Sequence, residues 1–567
     1  MAAISCRGLL QCVVLIWSLY IHLRQVDARN LQETFVIELV VQTRYHATDV
    51  DKNFICATLD WWPSEKCSTN GMVQCPWGGA GLPYLDLENP MLQEALKGIR
   101  CRVVKMVERR AVVVVRHADA YGTQRISVPR AELRPLVRAG GTLENIVVYD
   151  IGEQLPSEPC VPFSVNEGVF YGFSGGCLTM ERWDALNAFF KKTGVEVVFG
   201  LNALYGRNKT KTTTGTEVQN VTEPWDWTNA YELMKYTRDK NYAISGWELG
   251  NELIGLAIDA RVSPAQYSRD LENLDIIVRY LYKDYPTLPL VIAPDMVYLT
   301  SSDDLKNFLT DSGREKLDVL TTHSYNLGSG DSSSEILING ILNRTFVTKQ
   351  TGTYKNVNTL LSDHLAVQAW IGESGGIYRS GRHGVSDTFI DAFWYLDELG
   401  TASLFNTKVF CRQSFVGGNY GLLDRSTFEP YPDYYGALLW RRLMGDRALF
   451  VSMVGSAISA YAHCQKDNKG GVTVLLLNFS NTTTTIETYK FEGSDKVSFR
   501  HEYHMSPADG NITSQVVLLN GQPLAVTPDG KIPRLLPVNK APDDPISLKP
   551  LTYAYIVFPD IHASACV

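Results

Sequence analysis

The chain has no excess of positive charge. Its 53 Lys and Arg stand against 61 Asp and Glu, a formal net charge of -8, which excludes a nucleic-acid binder as a description of the whole. Long apolar runs are missing too: Leu9 to Ile21 is too short to span a bilayer comfortably, and no later segment qualifies. No Gly-x-Gly-x-x-Gly follows an early strand, which demotes a nucleotide-binding fold, and no Cys/His spacing suits zinc.

What is present points to export. Arg7, the apolar run and Val26-Asp-Ala28 have the layout of a signal peptide, so residues 1–28 are expected to be removed and the rest to be secreted or lumenal. A lysosomal or vacuolar location, with peripheral membrane association, is the alternative. Of 11 cysteines two lie in the signal; Cys56, Cys67, Cys75, Cys101, Cys160, Cys177, Cys411, Cys464 and Cys566 remain, predicting disulfides with one thiol left over. Sequons at Asn208, Asn220, Asn343, Asn478, Asn481 and Asn511 agree with the secretory route.

At 567 residues the chain is long enough for a barrel plus a smaller partner. Thr34 to Val41 and Phe54 to Pro63 read as strands. From Arg138 onward strand-like runs at Val195–Asn202, Ala243–Glu252, Leu290–Asp295, Leu317–Tyr325, Ala366–Glu373 and Ala402–Cys411 alternate with helical patterns. Of these, Ser263-Pro264 opens one helix, and Gly400 is expected to end another. This alternation predicts an α/β fold, a closed (β/α)8 TIM barrel. After the helix Asp433–Leu443 the period drops to two, and four runs between Val472 and Phe558 read as an antiparallel β-sandwich, with the early strand joining it. The expected division is an N-terminal strand in 29–53, a catalytic barrel in 54–445 and a sandwich in 446–567.

One stretch does not fit. Residues 100–138 hold ten Lys/Arg against three Asp/Glu, with the valine run Val112–Val115 inside. A polyanion-binding insertion, a solvated loop and translated sequence foreign to the mature message are all open readings of 100–132.

Barrels of this kind carry their chemistry at the C-terminal ends of the strands. Polar residues there are Asp60, Thr142, Asn202, Asn251, Glu252, Asp295, His323, Tyr325, Glu373, Arg412 and Gln413. Glycoside cleavage needs a carboxylic acid to protonate the leaving oxygen and a second group to attack or activate water; Glu252 and Glu373 end two different strands. A gap of about 5–5.5 Å between them means retention, roughly 6.5–9.5 Å inversion. A glutamate at either position alone would equally suit a helix N-terminus, and His323, Tyr325 and Tyr420 equally suit plain packing.

Trp247-Glu-Leu-Gly-Asn-Glu252, Trp370-Ile-Gly-Glu373, Thr322-His-Ser-Tyr325, Phe199-Gly-Leu-Asn-Ala-Leu204 and Arg412-Gln-Ser-Phe-Val-Gly-Gly-Asn-Tyr420 together resemble heparanases, most closely the plant heparanase-like proteins of glycoside hydrolase family 79. The resemblance implies a retaining β-glucuronidase acting by two-glutamate double displacement, with no metal or cofactor, on a glucuronic-acid-containing polysaccharide, a proteoglycan or a small glucuronide. It implies Glu252 as proton donor, Glu373 as nucleophile and Asn251 at the sugar 2-hydroxyl. Asp60, Thr142, Asn202, His323, Tyr325 and Gln413 match positions lining the cleft, and Tyr420 with the backbone of Ser380 and Gly381 matches the glucuronate-carboxylate site. Leu253 and Arg379-Ser380 depart from the animal pattern, where proline and glycines stand. A sugar-binding protein without turnover, and a retaining glycosidase of other specificity, are the rival readings.

Overall fold

A computed structural model describes residues 37–67, 75–98, 134–152, 160–208, 218–297, 303–311, 316–344, 349–363, 366–454, 458–493 and 497–567. The signal peptide, the basic stretch 100–132 and Cys101 lie outside the described residues. In chain order, strand β1 is Ile37–Gln42, followed by β2 Ile55–Asp60, β3 Leu136–Gly140, β4 Glu196–Leu201, β5 Gly246–Leu249, β6 Leu290–Val297, β7 Val319–Ser324, β8 Gln368–Ser374 and β9 Thr407–Arg412. Strands β2 to β9 pair in parallel and close a barrel, with β2 hydrogen-bonded to both β3 and β9. The strands are buried along nearly their whole length, as a parallel sheet wrapped in helices requires.

Register stacks the inward residues in layers. The lower layer is apolar: Cys56, Leu136, Val198, Ile292, Val319, Trp370, Val409 and Cys411 form one cluster. Cys56 and Cys411 face each other across β2 and β9 and are disulfide-bonded. Further disulfides join Cys67 to Cys75, Cys160 to Cys177 and Cys464 to Cys566.

Strand β1 pairs antiparallel with Val451–Val454 and parallel with Thr484–Glu492, so the start of the described chain is built into the C-terminal sandwich. In the larger sheet Val472–Asn478 is buried on both faces. Val472, Val474 and Leu476 meet Leu39, Val41 and Ile546 of the opposite sheet, while Leu475 and Leu477 join the barrel's core with Tyr553 and Tyr555. That double burial explains the run of hydrophobic residues.

Two expectations need correction. The helix Asp391–Leu404 runs through Gly400 instead of ending there, which delays β9 to Thr407. Gly400 is glycine because the Tyr461 ring of the sandwich lies on the helix at that point, where a β-carbon would overlap it. Asn478 is not an open glycosylation acceptor: it is fully buried, and its amide nitrogen donates to the carbonyls of Thr482, Leu548 and Lys549 at 3.0, 3.2 and 2.9 Å. The other five sequon asparagines are exposed.

Candidate active site

Above the apolar layer the barrel lumen is filled with charge. Arg138, in the middle of β3, points inward and is 2 % exposed. Its Nε donates to Glu248 Oε2 at 2.6 Å, its Nη1 to Glu373 Oε2 at 3.0 Å, and its Nη2 to Asn251 Oδ1 at 2.9 Å and to Asp295. Glu144 stands 3.8 Å away. One guanidinium thus organises groups from β3, β5, β6 and β8, which its planar fork of five donors suits.

Burial pushes the carboxyls of this cluster up. Glu248 rises to about 7, through desolvation, with Asp295 adding to the rise against the pull of Arg138. Glu144 and Asp60 also rise well above the usual range, burial first in both. Asp295 goes the other way: although burial opposes its charge, Arg138 and His323 hold its pKa low.

Glu252 lies just past β5, and its backbone takes φ 54, a left-handed conformation shared by Asp295 at φ 52. The two residues are tied together, Glu252 N–H donating to the Asp295 carbonyl at 2.8 Å. Non-glycine residues at such angles store strain, a feature concentrated at functional sites. His323 bridges the same pair through its side chain, with Nδ1 2.7 Å from Glu252 Oε1 and Nε2 2.7 Å from Asp295 Oδ1. Burial disfavours the imidazolium, yet Asp295 and Glu373 outweigh it and hold the His323 pKa well above the ordinary value. Glu252 is raised, chiefly by burial, with the hydrogen bond and charge of His323 opposing.

Glu373 accepts from Tyr325 Oη at 2.5 Å on one oxygen and from Arg138 on the other. Glu252, His323 and Glu373 bring one side-chain oxygen or nitrogen each to within 4.8 Å of one another. Glu252 and Glu373 thus face each other across one pocket, near enough for both to reach a single sugar ring. The two glutamates are 7 % and 8 % exposed, whereas Glu248 and Asp295 are wholly enclosed. Only the first pair reaches the cleft.

The opposite wall is built by Asp60, Gln413 and Tyr420: Gln413 Nε2 donates to Asp60 and, at 3.4 Å, to Tyr420 Oη. Gly141 adjoins Asp60 so closely that any side chain there would overlap its carboxylate. Thr142 opens the 3-10 turn that follows. The Ser380–Gly381 loop packs on Tyr420, held by Trp77 Nε1 donating to Ser380 Oγ at 2.9 Å and by Asn419 N–H donating to the Ser380 carbonyl at 2.7 Å.

The structure brings together Asp60, Asn251, Glu252, His323, Tyr325, Glu373, Ser380, Gly381, Gln413 and Tyr420. Two expected residues stand apart from this set: Thr142, in the turn after β3, and Asn202, which is fully buried with its amide nitrogen donating to Val147 O at 2.9 Å and Asn229 Oδ1 at 3.0 Å. Sequence reasoning missed Arg138, Glu248 and Asn145, which clamps the backbone of Asn251 with bonds of 2.9 and 2.8 Å. A charged residue at the centre of a strand otherwise fully buried was the available signal for the first two.

Residues 36–121 and 127–400 match the model of the glycosyl hydrolase family 79 N-terminal domain. Heparanase-like protein 2 of Arabidopsis thaliana is 41% identical over 95% of this chain and 96% of its own length. Baicalin-beta-D-glucuronidase of Scutellaria baicalensis is 37% identical over 90% of each. Among solved structures, a 4-O-alpha-L-rhamnosyl-beta-D-glucuronidase from Fusarium oxysporum aligns with a TM-score of 0.58 at 14% identity, covering 92% of this chain and 100% of that one. A GH51 alpha-L-arabinofuranosidase from Thermotoga petrophila aligns at 0.59, with 12% identity over 92% and 99%; both show the barrel fold.

Proposed function

The chain belongs to glycosyl hydrolase family 79, and from that premise we propose that it cleaves β-glucuronosyl linkages with retention, Glu252 serving as acid/base and Glu373 as nucleophile. The observation that carries this reading is that one oxygen of each carboxyl lies within 4.8 Å of the other, the two groups being held by different sets of partners.

Burial keeps a proton on Glu252 at a pH where an exposed glutamate would have lost it, so it can protonate the departing glycosidic oxygen. Glu373, aimed by Arg138 and Tyr325, attacks the anomeric carbon as that bond breaks, giving a glucuronosyl ester. Glu252, now a carboxylate, takes a proton from water; the water oxygen displaces Glu373 and the configuration at the anomeric carbon is restored. His323, backed by Asp295, fixes the Glu252 carboxyl through both steps. Asn251 spends its Oδ1 on Arg138, leaving the amide N–H groups for the sugar 2-hydroxyl.

The substrate's carboxylate is met by the backbone N–H groups of Ser380 and Gly381 and the Tyr420 phenol, neutral donors that bind an anion without a countercharge. Asp60, Thr142 and Gln413 line the remaining wall. The substrate is a β-linked glucuronic acid at the end of, or within, a glycan, proteoglycan or small glucuronide. The names of the relatives from Scutellaria baicalensis and from Gallus gallus, a heparanase, support that class. Four disulfides and five exposed sequons support passage through the secretory pathway and an extracellular or lysosomal place of work. No helix among the described residues is long and apolar enough to cross a membrane.

The test is hydrolysis of an aryl β-glucuronide by the secreted protein beside Glu373→Ala. Turnover in the first and none in the second is expected; equal turnover removes the nucleophile, and none in either favours a binding protein.

A further inference from the structure

A second cavity of about 570 Å3 lies outside the machinery just described, lined by Tyr205, Trp227, Thr228, Asn229, Tyr231, Glu232 and Lys235. Its volume falls within the roughly 300–1,000 Å3 of small-ligand sites. Trp227 is 39 % exposed and is the only tryptophan of the described residues presented to solvent to that extent. Its ring meets Tyr231 edge to face, with centroids 6.0 Å apart. Tyr205 faces the same space, and half-exposed Glu232 and Lys235, 3.8 Å apart, supply acceptors and donors at the rim.

The position of this cavity matters as much as its lining. Trp227 and Thr228 begin the helix Thr228–Asp239, which follows the loop leaving β4, so the cavity opens on the catalytic end of the barrel. β4 pairs directly with β5, the strand that delivers Glu252. The floor is rigid: Asn229 accepts from the Tyr149 N–H at 2.9 Å and donates to the Tyr149 carbonyl at 2.8 Å, while also accepting from Asn202 at the end of β4.

Aromatic faces with polar groups at their edges match a pyranose, which has C–H faces and a hydroxyl rim. The charge balance selects among sugars. Glu232 and Lys235 are the charged residues of the lining and pair with each other at 3.8 Å, so the rim carries no net charge. A rim without unpaired cations offers nothing to hold the charge of a sulfated or uronate-rich segment.

We propose that this groove is a second carbohydrate-binding site that grips uncharged pyranose residues of the glycan at a distance from the scissile glucuronosyl bond. The inference rests on the glucuronidase reading only for the statement that both sites serve one glycan. A protein so built works better on long chains than its cleft alone would allow.

The test uses the full chain carrying Glu373→Ala, so that nothing is hydrolysed, titrated calorimetrically with uncharged β-galactan and β-xylan oligosaccharides and with heparan sulfate oligosaccharides. At least one neutral probe is expected to bind, and heparan sulfate binding, which the catalytic cleft can supply, is expected to be unaffected by changes in the groove. Adding Trp227→Ala should weaken that binding at least tenfold, and Thr228→Arg, which fills the groove from an exposed position, should do the same. In the otherwise native enzyme both variants should turn over an aryl β-glucuronide within twofold of the parent, which also verifies their folding. Neutral-sugar binding unchanged in both variants, no binding of either neutral probe, or heparan sulfate binding weakened by both variants as much as neutral-sugar binding would overturn the proposal. A parent enzyme inert on the aryl glucuronide would instead count against the glucuronidase reading, leaving the calorimetry to judge the groove.

Discussion

The two ends of the barrel lumen are built from the same eight strands and differ in almost every other respect. At the lower end the inward positions are Cys56, Leu136, Val198, Ile292, Val319, Trp370, Val409 and Cys411, closed by a disulfide between neighbouring strands. Two residues further along, the same strands present Thr58, Arg138, Gly200, Glu248, Thr321 and Gln413, and then Asp60, Asn251, Glu252, Asp295, His323 and Glu373. Apolar burial stabilises the lower end directly, at about 25 cal/mol per Å2. At the upper end each buried charge costs several kcal/mol in desolvation and is tolerated only because Arg138 and His323 satisfy it. The contrast teaches that one end holds the barrel together while the other spends stability to hold charges where a sugar can be attacked.

The largest expected effect sharpens the upper end. Glu373→Ala should cut kcat on an aryl β-glucuronide by on the order of 10^4-fold or more, with the melting temperature of the protein little changed. A loss below tenfold would shift the nucleophile elsewhere.

Removing the organiser of one end and a packing residue of the other should separate their roles. Arg138→Leu leaves four buried carboxyls without their cation and should destabilise the fold by about 3–5 kcal/mol, with activity lost even in the folded fraction. Leu136→Ala, two residues away, should cost a similar 2–5 kcal/mol by opening a cavity, yet leave kcat per folded molecule intact. Denaturant unfolding paired with active-site titration distinguishes the two; matching activity losses would erase the contrast.

His323→Gln should lower kcat by roughly 10^2-fold, in line with disturbed acid/base catalysis. It should also move the basic limb of the pH profile upward: His323 now lowers the Glu252 pKa, and its loss lets Glu252 keep its proton to higher pH. A downward move would show that His323 does not act on Glu252.

The smallest effect concerns stability against pH. The Glu248 carboxyl is raised from 4.5 to about 7 in the folded state. Its contribution is fully present below the unfolded value and is lost as pH rises through the folded one. The melting temperature should therefore fall between about pH 4.5 and 7, and Glu248→Gln should flatten that slope.

The same comparison explains what could be read beforehand. The lower end and the sandwich follow from hydrophobic period and turn residues, and the alternation of strands and helices was enough for the barrel. Glu252, His323, Tyr325 and Glu373 were legible because they sit at strand ends, where only catalysis or capping explains a polar group. Arg138 and Glu248 were not, since each lies one turn of the pleat deeper, where a local reading expects an apolar residue and only the pairing of distant strands supplies the partners. Arg138 was further masked by the basic run that precedes it. Asn202 ends a strand like the others, but its amide turns to Val147 and Asn229, a choice made by loops that sequence does not place. Asn478 carries a sequon, yet burial between two strands and a turn consumes the amide a glycan would need.

The assignment of Glu373 rests most directly on catching the covalent intermediate. Incubation with 2-deoxy-2-fluoro-β-glucuronosyl fluoride, which slows release of the bound sugar, followed by peptide mass spectrometry, should find one fluoroglucuronosyl group per protein, attached to Glu373. Attachment to any other residue, or continued release of fluoride with no labelled peptide, would contradict the account.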